Sequence, residues 1–442
     1  MVKKILFISL ALFVLLFSIM LGGCFADAAA QMDVVISNLE LGNYAEAEAE
    51  TKKLIVDFAG HPHLPDVLYQ VANEYQGRQI HEQAQKLYKY IIDKLPESEY
   101  VILSRVSIIM SDIGLGNYAN AQTAIDKLIL DFNGHPALPG EIYRIASYLY
   151  WGEKRYEDAR RLYKSVLEKW SESEQAMWAQ AGIASVDISN RDYPSARAAI
   201  KKLLDNYKDH KDLAAARFQL GSDYCRAGKY KEAQELYKQI SEEHPGSEVG
   251  ALARVGLGKI KLCLGGDEDA RVIFDRVLAD YAGRPILLEA MEMMASAYYN
   301  EALRMKKQGL DEQAKSYYQK TIVEFKRIMP QLPKTDDKAA EICYFSGVCY
   351  SRLGQHQKAI EYYRKVVDNW PDYKYAWHVQ FMIGRTYKYL KETGAISESE
   401  ADSAILAAYE RVIQNYPDCP AAKAARGWLN YYHKKSSEGR QK

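Results

Sequence analysis

One small residue recurs along this chain at a fixed interval. Ala47, Ala84, Ala121, Ala159, Ala196, Ala233 and Ala270 stand 37, 37, 38, 37, 37 and 37 residues apart. A period of this length marks an array of like units rather than one globular core. Three residues before most of these alanines stands Tyr44, Tyr118, Tyr156, Tyr193 or Tyr230, and four residues after stands Tyr88, Ile125, Tyr163, Ile200, Tyr237 or Phe274. Offsets of three and four are one helical turn, so each alanine shares a helix face with a bulky side chain. A narrow point beside a wide one lets two antiparallel helices approach and interlock. The spacing therefore predicts one helical hairpin per unit and an all-α chain.

A second, longer period lies over the first. The stretch LGNYAEAEAETKKLIVDFAGHP begins at Leu41 and LGNYANAQTAIDKLILDFNGHP begins at Leu115, 74 residues on. Odd hairpins close with GHPHLP or GHPALP, and even ones with PESE, SESE or PGSE, so the duplicated unit is a pair of hairpins. The same loop column continues at His210 and Arg284.

Some units are complete enough to compare with a known repeat. FQLGSDYCRAGKYKEAQELYKQISEEHP, ending at Pro245, and YFSGVCYSRLGQHQKAIEYYRKVVDNWP, ending at Pro371, each carry a Gly and a Tyr on the first helix, an Ala and a Tyr on the second, and a closing Pro that stops it. These stretches resemble the tetratricopeptide repeat. The resemblance implies a right-handed superhelix of about ten hairpins over residues 32–419, with a capping helix at 420–435 and a disordered tail at 436–442. The period breaks between Ala270 and Ala314, between Ala314 and Ala359, and after Leu390 at LKETGAISESEADS. Such additions mark a binding face or are surface drift, and sequence leaves both open. The helix VILSRVSIIMSDIG of the third hairpin is apolar all round, either wrapped by neighbours or presented as a patch to a partner.

Residues 1–23 have the shape of an export signal: Lys3 and Lys4 precede an apolar run from Ile5 to Met20, then LGG before Cys24. The run reaches about 25 Å as a helix, short of a hydrocarbon core of roughly 30 Å. The stretch LGGC resembles the bacterial lipobox, which implies acylation of Cys24, a short tether at 24–31, and an exported lipoprotein at the periplasmic face of the outer membrane. A plain cleaved signal and a retained anchor are the alternatives. Lys plus Arg and Asp plus Glu are balanced at 58 each, so no basic excess points to nucleic acid. With 48% hydrophobic residues the chain has apolar surface enough to fold.

The chemistry-bearing residues form no catalytic pattern. His61, His63 and His135 fall in the GHP loops, but Arg284 occupies the same column and is no zinc ligand, so a basic group near a helix C-terminus explains the column better than a metal does. Cys343 and Cys349 lie on different faces of one helix and read as small buried hydrophobes. Cys225 and Cys263 near the ends of adjacent first helices are candidates for oxidation in an exported protein. No HExxH, GxSxG, Walker or CxxC motif occurs, so no enzyme, metal or cofactor is expected.

The remaining candidates come from the resemblance. Alignment places Tyr69, Asn73, Arg144, Tyr148, Trp151, Phe218, Arg226, Tyr344, Arg352, Phe381, Arg385, Lys388 and Tyr389 on the groove face of the first helices, and aromatic and Arg side chains are what protein-binding grooves use. The Lys and Asn set of carboxylate-clamp relatives is not reproduced, since Tyr69 stands beside Asn73. The expected function is that of a lipid-anchored envelope scaffold for other envelope proteins. The alternative is a lipid-anchored glycan-binding protein, which would need several of the 34 tyrosines exposed on one surface. The oligomeric state is not readable.

Overall fold

The computed structural model describes residues 28–333, 335–417 and 419–439, with side chains as far as Tyr431. No strand occurs among the described residues. Helix α1 (residues 28–40) pairs with α2 (Tyr44–Asp57), α3 (Leu64–Gly77) with α4 (His81–Lys94), and α5 (Tyr100–Gly114) with α6 (Tyr118–Asp131). Then α7 (Leu138–Trp151) pairs with α8 (Tyr156–Lys169), and α9 (Glu174–Ser189) with α10 (Tyr193–Asn206). The series continues with α11 (Leu213–Arg226) and α12 (Tyr230–Glu243), α13 (Glu248–Cys263) and α14 (Asp267–Asp280), and α15 (Ile286–Lys307) and α16 (Asp311–Ile328). It ends with α17 (Asp337–Arg352) and α18 (His356–Asn369), α19 (Ala376–Glu392) and α20 (Glu398–Asn415), and a single last helix α21 (Ala422–Gly439). The expected all-α array of hairpins is what the chain forms.

The chain divides between Leu213 and Ala214 into two compact units. In the first, α5 is wrapped by its neighbours: Val101, Ile102, Val106, Ile109 and Ile113 are buried and only Gly114 of the helix is exposed. The GHP loops have a specific use. His61 Nδ1 accepts the amide of His63, His135 Nδ1 that of Ala137, and His210 Nδ1 that of Asp212. The rings of His61 and His135 also meet the edges of Phe58 and Phe132, at 6.2 and 5.9 Å. At these three loops the imidazole thus accepts an amide just ahead of the next first helix.

In the second unit one apolar core runs from Ala251 to Ala425. The recurring alanines Ala233, Ala270, Ala314 and Ala359 are fully buried, as Ala47, Ala84, Ala121, Ala159 and Ala196 are in the first unit. The tyrosine four residues on is gripped by small residues. A Cβ added at Gly221 of α11 or at Gly256 of α13 would lie 2.6 Å from the Tyr237 ring, on Cε1 and Cε2 respectively. At the loop column Arg284 uses other chemistry, donating to the Gly246 carbonyl at 3.0 Å and lying over the Tyr281 ring. Tyr281 donates to the Pro245 carbonyl and Tyr416 to that of Pro371, each reaching back to the loop that closes the preceding hairpin.

The broken periods become longer helices. α15 has 22 residues and α16 has 18, against 14 for α12 or α14, and α16 runs on into a tight 3-10 turn at Met329–Gln331. The addition after Leu390 lengthens α20 to 18 residues behind a short loop, across which Lys391 pairs with Glu398 and Asp402. At the C-terminus α21 extends to Gly439, so residues 436–439, expected to be disordered, continue the last helix, while 440–442 lie outside the described residues. Helix α1 begins at residue 28, inside the stretch expected to be a tether, and Cys24 with the whole of 1–23 lies outside the described residues.

Candidate functional site

The nominated aromatics stand half-buried against the second helix of their own hairpin. Tyr69 meets Tyr88 at 5.8 Å, Phe218 meets Tyr237 at 5.3 Å, Tyr344 meets Tyr363 at 6.4 Å and Phe381 meets Tyr409 at 5.2 Å. In the fourth hairpin this position belongs to Tyr143, 5.7 Å from Tyr163, and in the eighth to Tyr299, 6.1 Å from Tyr318. Neither was nominated, although the 74-residue doubling maps Tyr69 onto Tyr143. Asn73 accepts the Tyr88 hydroxyl at 2.7 Å, and the hydroxyls of Ser147 and Ser222 are hydrogen-bonded to those of Tyr163 and Tyr237 at 3.2 and 3.0 Å.

The nominated charges divide into engaged and free. Arg144 is held by Glu141 at 2.6 Å and reaches the Met110 sulfur, Arg226 pairs with Asp223, and the Lys388 ammonium lies 4.0 Å from the Trp428 ring centre of α21. Arg352 and Arg385 are exposed and make no ion pair among the described residues. Tyr148 is half-buried, and burial with the nearby Glu153 charge pushes its hydroxyl above the ordinary range. Trp151 is exposed, edge-on to Tyr150 at 4.6 Å, and Tyr389 is exposed with its ring 4.4 Å from that of His356.

One cleft in the second unit joins residues that were not nominated. It measures about 400 Å³ and opens between the first helices α15 and α17, with the end of α16 as its floor. Its walls are Tyr299, Phe325, Ile328, Ile342 and Phe345, and the Tyr299 and Phe345 rings meet at 5.3 Å and 70°. Ile328 and Ile342 are buried with Met291 and Ala295 in a small apolar cluster beneath it. Burial pushes the Tyr299 hydroxyl up to about 12. At the mouth, Lys338 donates to both carboxylate oxygens of Glu292, at 3.1 and 3.3 Å, while Asn300 donates to Ser296. The Glu292 hydrogen bond and charge, with Asp336 and Glu289 adding, hold the Lys338 ammonium above its ordinary range.

Other groups settle into structural places. Cys343 and Cys349 are buried, with their thiols pushed up to about 11 and 12 by that burial, and Cys225 is pushed up to about 11 by burial with Cys263 close by. All four are free thiols. Among the described residues no three His, Cys, Asp or Glu side chains group so as to hold a metal ion, and no helix is long and apolar enough to cross a membrane. The exposed large aromatics are Tyr44, Trp151, Tyr375, Tyr389 and Tyr431. They lie on separate hairpins except for Tyr375 and Tyr389, which stand roughly 20 Å apart along α19.

Three stretches of the chain, residues 146–210, 215–247 and 340–372, match models of the tetratricopeptide repeat. No curated protein matches the chain in sequence. Among solved structures it is similar to a tetratricopeptide repeat protein from Parabacteroides merdae, at TM-score 0.37 and 12% identity over 63% of this chain and 96% of that one. It is similar also to a human IFIT1 dimer with m7Gppp-AAAA, at TM-score 0.35 and 15% identity over 93% and 87% of the two chains. A third likeness is PilW, a widely conserved type IV pilus biogenesis factor, at TM-score 0.32 and 18% identity over 57% and 98%. At these scores the likenesses carry no argument about what this chain does.

Proposed function

Proceeding from a chain built of tetratricopeptide repeats, we propose that it is a lipid-anchored scaffold of the cell envelope that binds protein partners along its first-helix face. The anchor rests on Lys3, Lys4, the apolar run and LGGC before Cys24. The partner-binding part rests on one observation above all. In a unit whose hairpins interlock down to ring-on-glycine contact, an aromatic-walled cleft of about 400 Å³ stays open between α15 and α17. Closed hairpins would bury that apolar surface, and an open apolar recess with a few polar groups at its mouth is the shape of a binding site. Glycan binding would call for several aromatics on one platform, and the scattered exposed rings give that reading nothing to stand on.

The test is photocrosslinking in intact cells from single positions. A crosslinking residue at Arg385 or Tyr148, on first helices, should trap discrete protein partners. The same residue at Arg276, on the second helix α14 and 78% exposed at its side chain, should trap none of them. Equal trapping from Arg276, or none from either first-helix position, would remove the first-helix face as the binding surface.

A further inference from the structure

The cleft between α15 and α17 has a polarity of its own. Of the ten residues lining it, Lys338 is the single cation, and its ammonium is already spent on Glu292. Glu341, one turn on from Lys338 along α17, also lines the cleft, exposed and without an ion pair among the described residues. Glu289 and Asp336 lie close enough to act on Lys338. Three carboxylates, those of Glu292, Glu289 and Asp336, therefore act on one ammonium, and Glu341 adds an unpaired charge at the cleft. Asn300 gives one amide hydrogen to Ser296 and keeps its carbonyl as an acceptor at the rim. The free cations of this unit's first helices lie elsewhere, Arg352 being about 17 Å further along α17 than Glu341. The mouth is an acceptor-rich, negatively charged ring, and the interior is aromatic and aliphatic.

Resting on the scaffold reading above, we infer that this cleft takes a single aromatic or branched apolar side chain from a protein segment whose flanking residues are Lys or Arg. The volume lies at the low end of the range for ligand pockets, roughly 300 to 1,000 Å³, so it suits one large side chain rather than a helix face. Tyr299, Phe325 and Phe345 supply rings to pack against it, and the anchor's burial supplies most of the affinity. Flanking cations meet Glu341 and the outer edge of the Glu292 carboxylate, which fixes the sign of charge accepted and speeds encounter. An acidic segment would bring like charge to this mouth and be rejected.

The experiment uses the purified chain and three fluorescein-labelled synthetic peptides: a phenylalanine flanked by lysines, the same peptide with alanine as the anchor, and the same with glutamates as the flanks. The lysine-phenylalanine peptide should bind, and both others should bind at least tenfold more weakly. Salt should weaken the first peptide's binding. Glu341→Lys should weaken it about tenfold, and Asn300→Trp, which fills the cleft from its exposed rim without touching the core, should abolish it. Phe345→Ala should weaken it too, and Asn300→Trp keeps the reading falsifiable if Phe345→Ala does not fold. Binding of the glutamate peptide that Asn300→Trp abolishes would overturn the charge assignment and leave the scaffold reading standing. Binding of the lysine peptide that ignores Asn300→Trp would overturn the cleft. No binding by any peptide, with partners still trapped from Arg385 in cells, would overturn this inference alone; no binding and no trapping would sink both.

Discussion

One tyrosine, Tyr237, is clamped between two glycines of adjacent hairpins, and this contact permits a quantitative test of how hairpins interlock. Gly221→Ala adds a methyl 2.6 Å from one Tyr237 ring atom and 3.0 Å from two others, whereas carbon atoms attract best near 3.5–4.0 Å. The ring has little room to swing away, since its other edge lies so near Gly256 of the next hairpin that a Cβ built there would also fall 2.6 Å from it, and the hydroxyl is bonded to Ser222 at 3.0 Å. Overpacking of this kind costs about 1 to 3 kcal/mol, and the clamp puts the site at the upper end. Alanine's better helix propensity returns about 1 kcal/mol. The net is a loss of about 2 kcal/mol, or roughly thirtyfold in local opening.

Gly427→Ala is the control, because nothing lies within 4 Å of its added methyl and the propensity gain of about 1 kcal/mol stands alone. An array of hairpins does not unfold in one step, so native-state hydrogen exchange is the suitable assay. Gly221→Ala should speed exchange in α11, α12 and α13 and spare α19 and α20, while Gly427→Ala should slow it locally. Gly221→Ala combined with Gly256→Ala should depart from the sum of the single changes, since both press one ring. The interlock argument fails if Gly221→Ala stabilises as Gly427→Ala does, or if protection is lost evenly from end to end.

Three further outcomes follow from the same structure. His135→Ala removes the acceptor for the Ala137 amide and should cost about 1 kcal/mol in local stability by exchange at α7, whereas His135→Asn keeps an acceptor and should cost less than half as much. Burial holds His356 below its ordinary value of 6.5, and burial with the Arg385 charge does the same for His378. The unfolded chain therefore takes up protons first, so the second unit should be fully stable above about pH 6.5 and lose stability as pH falls from there through the folded values. Urea midpoints measured across that range should flatten in His356→Phe and His378→Phe. Cys24→Ala should move the protein out of the detergent phase in a partitioning assay; unchanged partitioning would mean a spanning anchor instead of an acyl one.

The scaffold was legible because it is written in spacing. An alanine every 37 residues with a ring one turn on is enough to set the helix faces, and the recurring alanines are buried where the period puts them. The groove side chains were legible only in part, because sequence shows which face a residue takes and not what it touches there. Asn73 and Lys388 were expected on the groove face, yet one is bonded to Tyr88 and the other sits over Trp428, a residue of the last helix 40 positions on. The loop histidines were read as basic groups, since Arg284 shares their column, and spacing alone does not show that their Nδ1 atoms accept backbone amides. Tyr143 could have been found by carrying Tyr69 forward 74 residues, which sequence alone allows.

The cleft was hidden for a different reason, and that reason says where such arrays can hold a ligand. A repeat that keeps its period must set each first helix against the last, and the volume between them is filled by the small-and-large pattern that makes the period visible. The aromatic-walled space for a foreign side chain lies where the period breaks. Between α15 and α17 it breaks by lengthening: α16 runs four residues beyond the usual 14 and turns at Pro330, so that Phe325 and Ile328 become the floor of a gap. Lengthening alone is not sufficient. α20 is also 18 residues long, but the loop before it is drawn shut by Lys391 on Glu398 and Asp402. At the first break the lysine, Lys338, spans the rim to Glu292 and leaves the aromatic floor uncovered beneath it. Two insertions of similar length thus end as one closed seam and one open pocket, and the difference lies in whether the lysine closes a loop or bridges a rim.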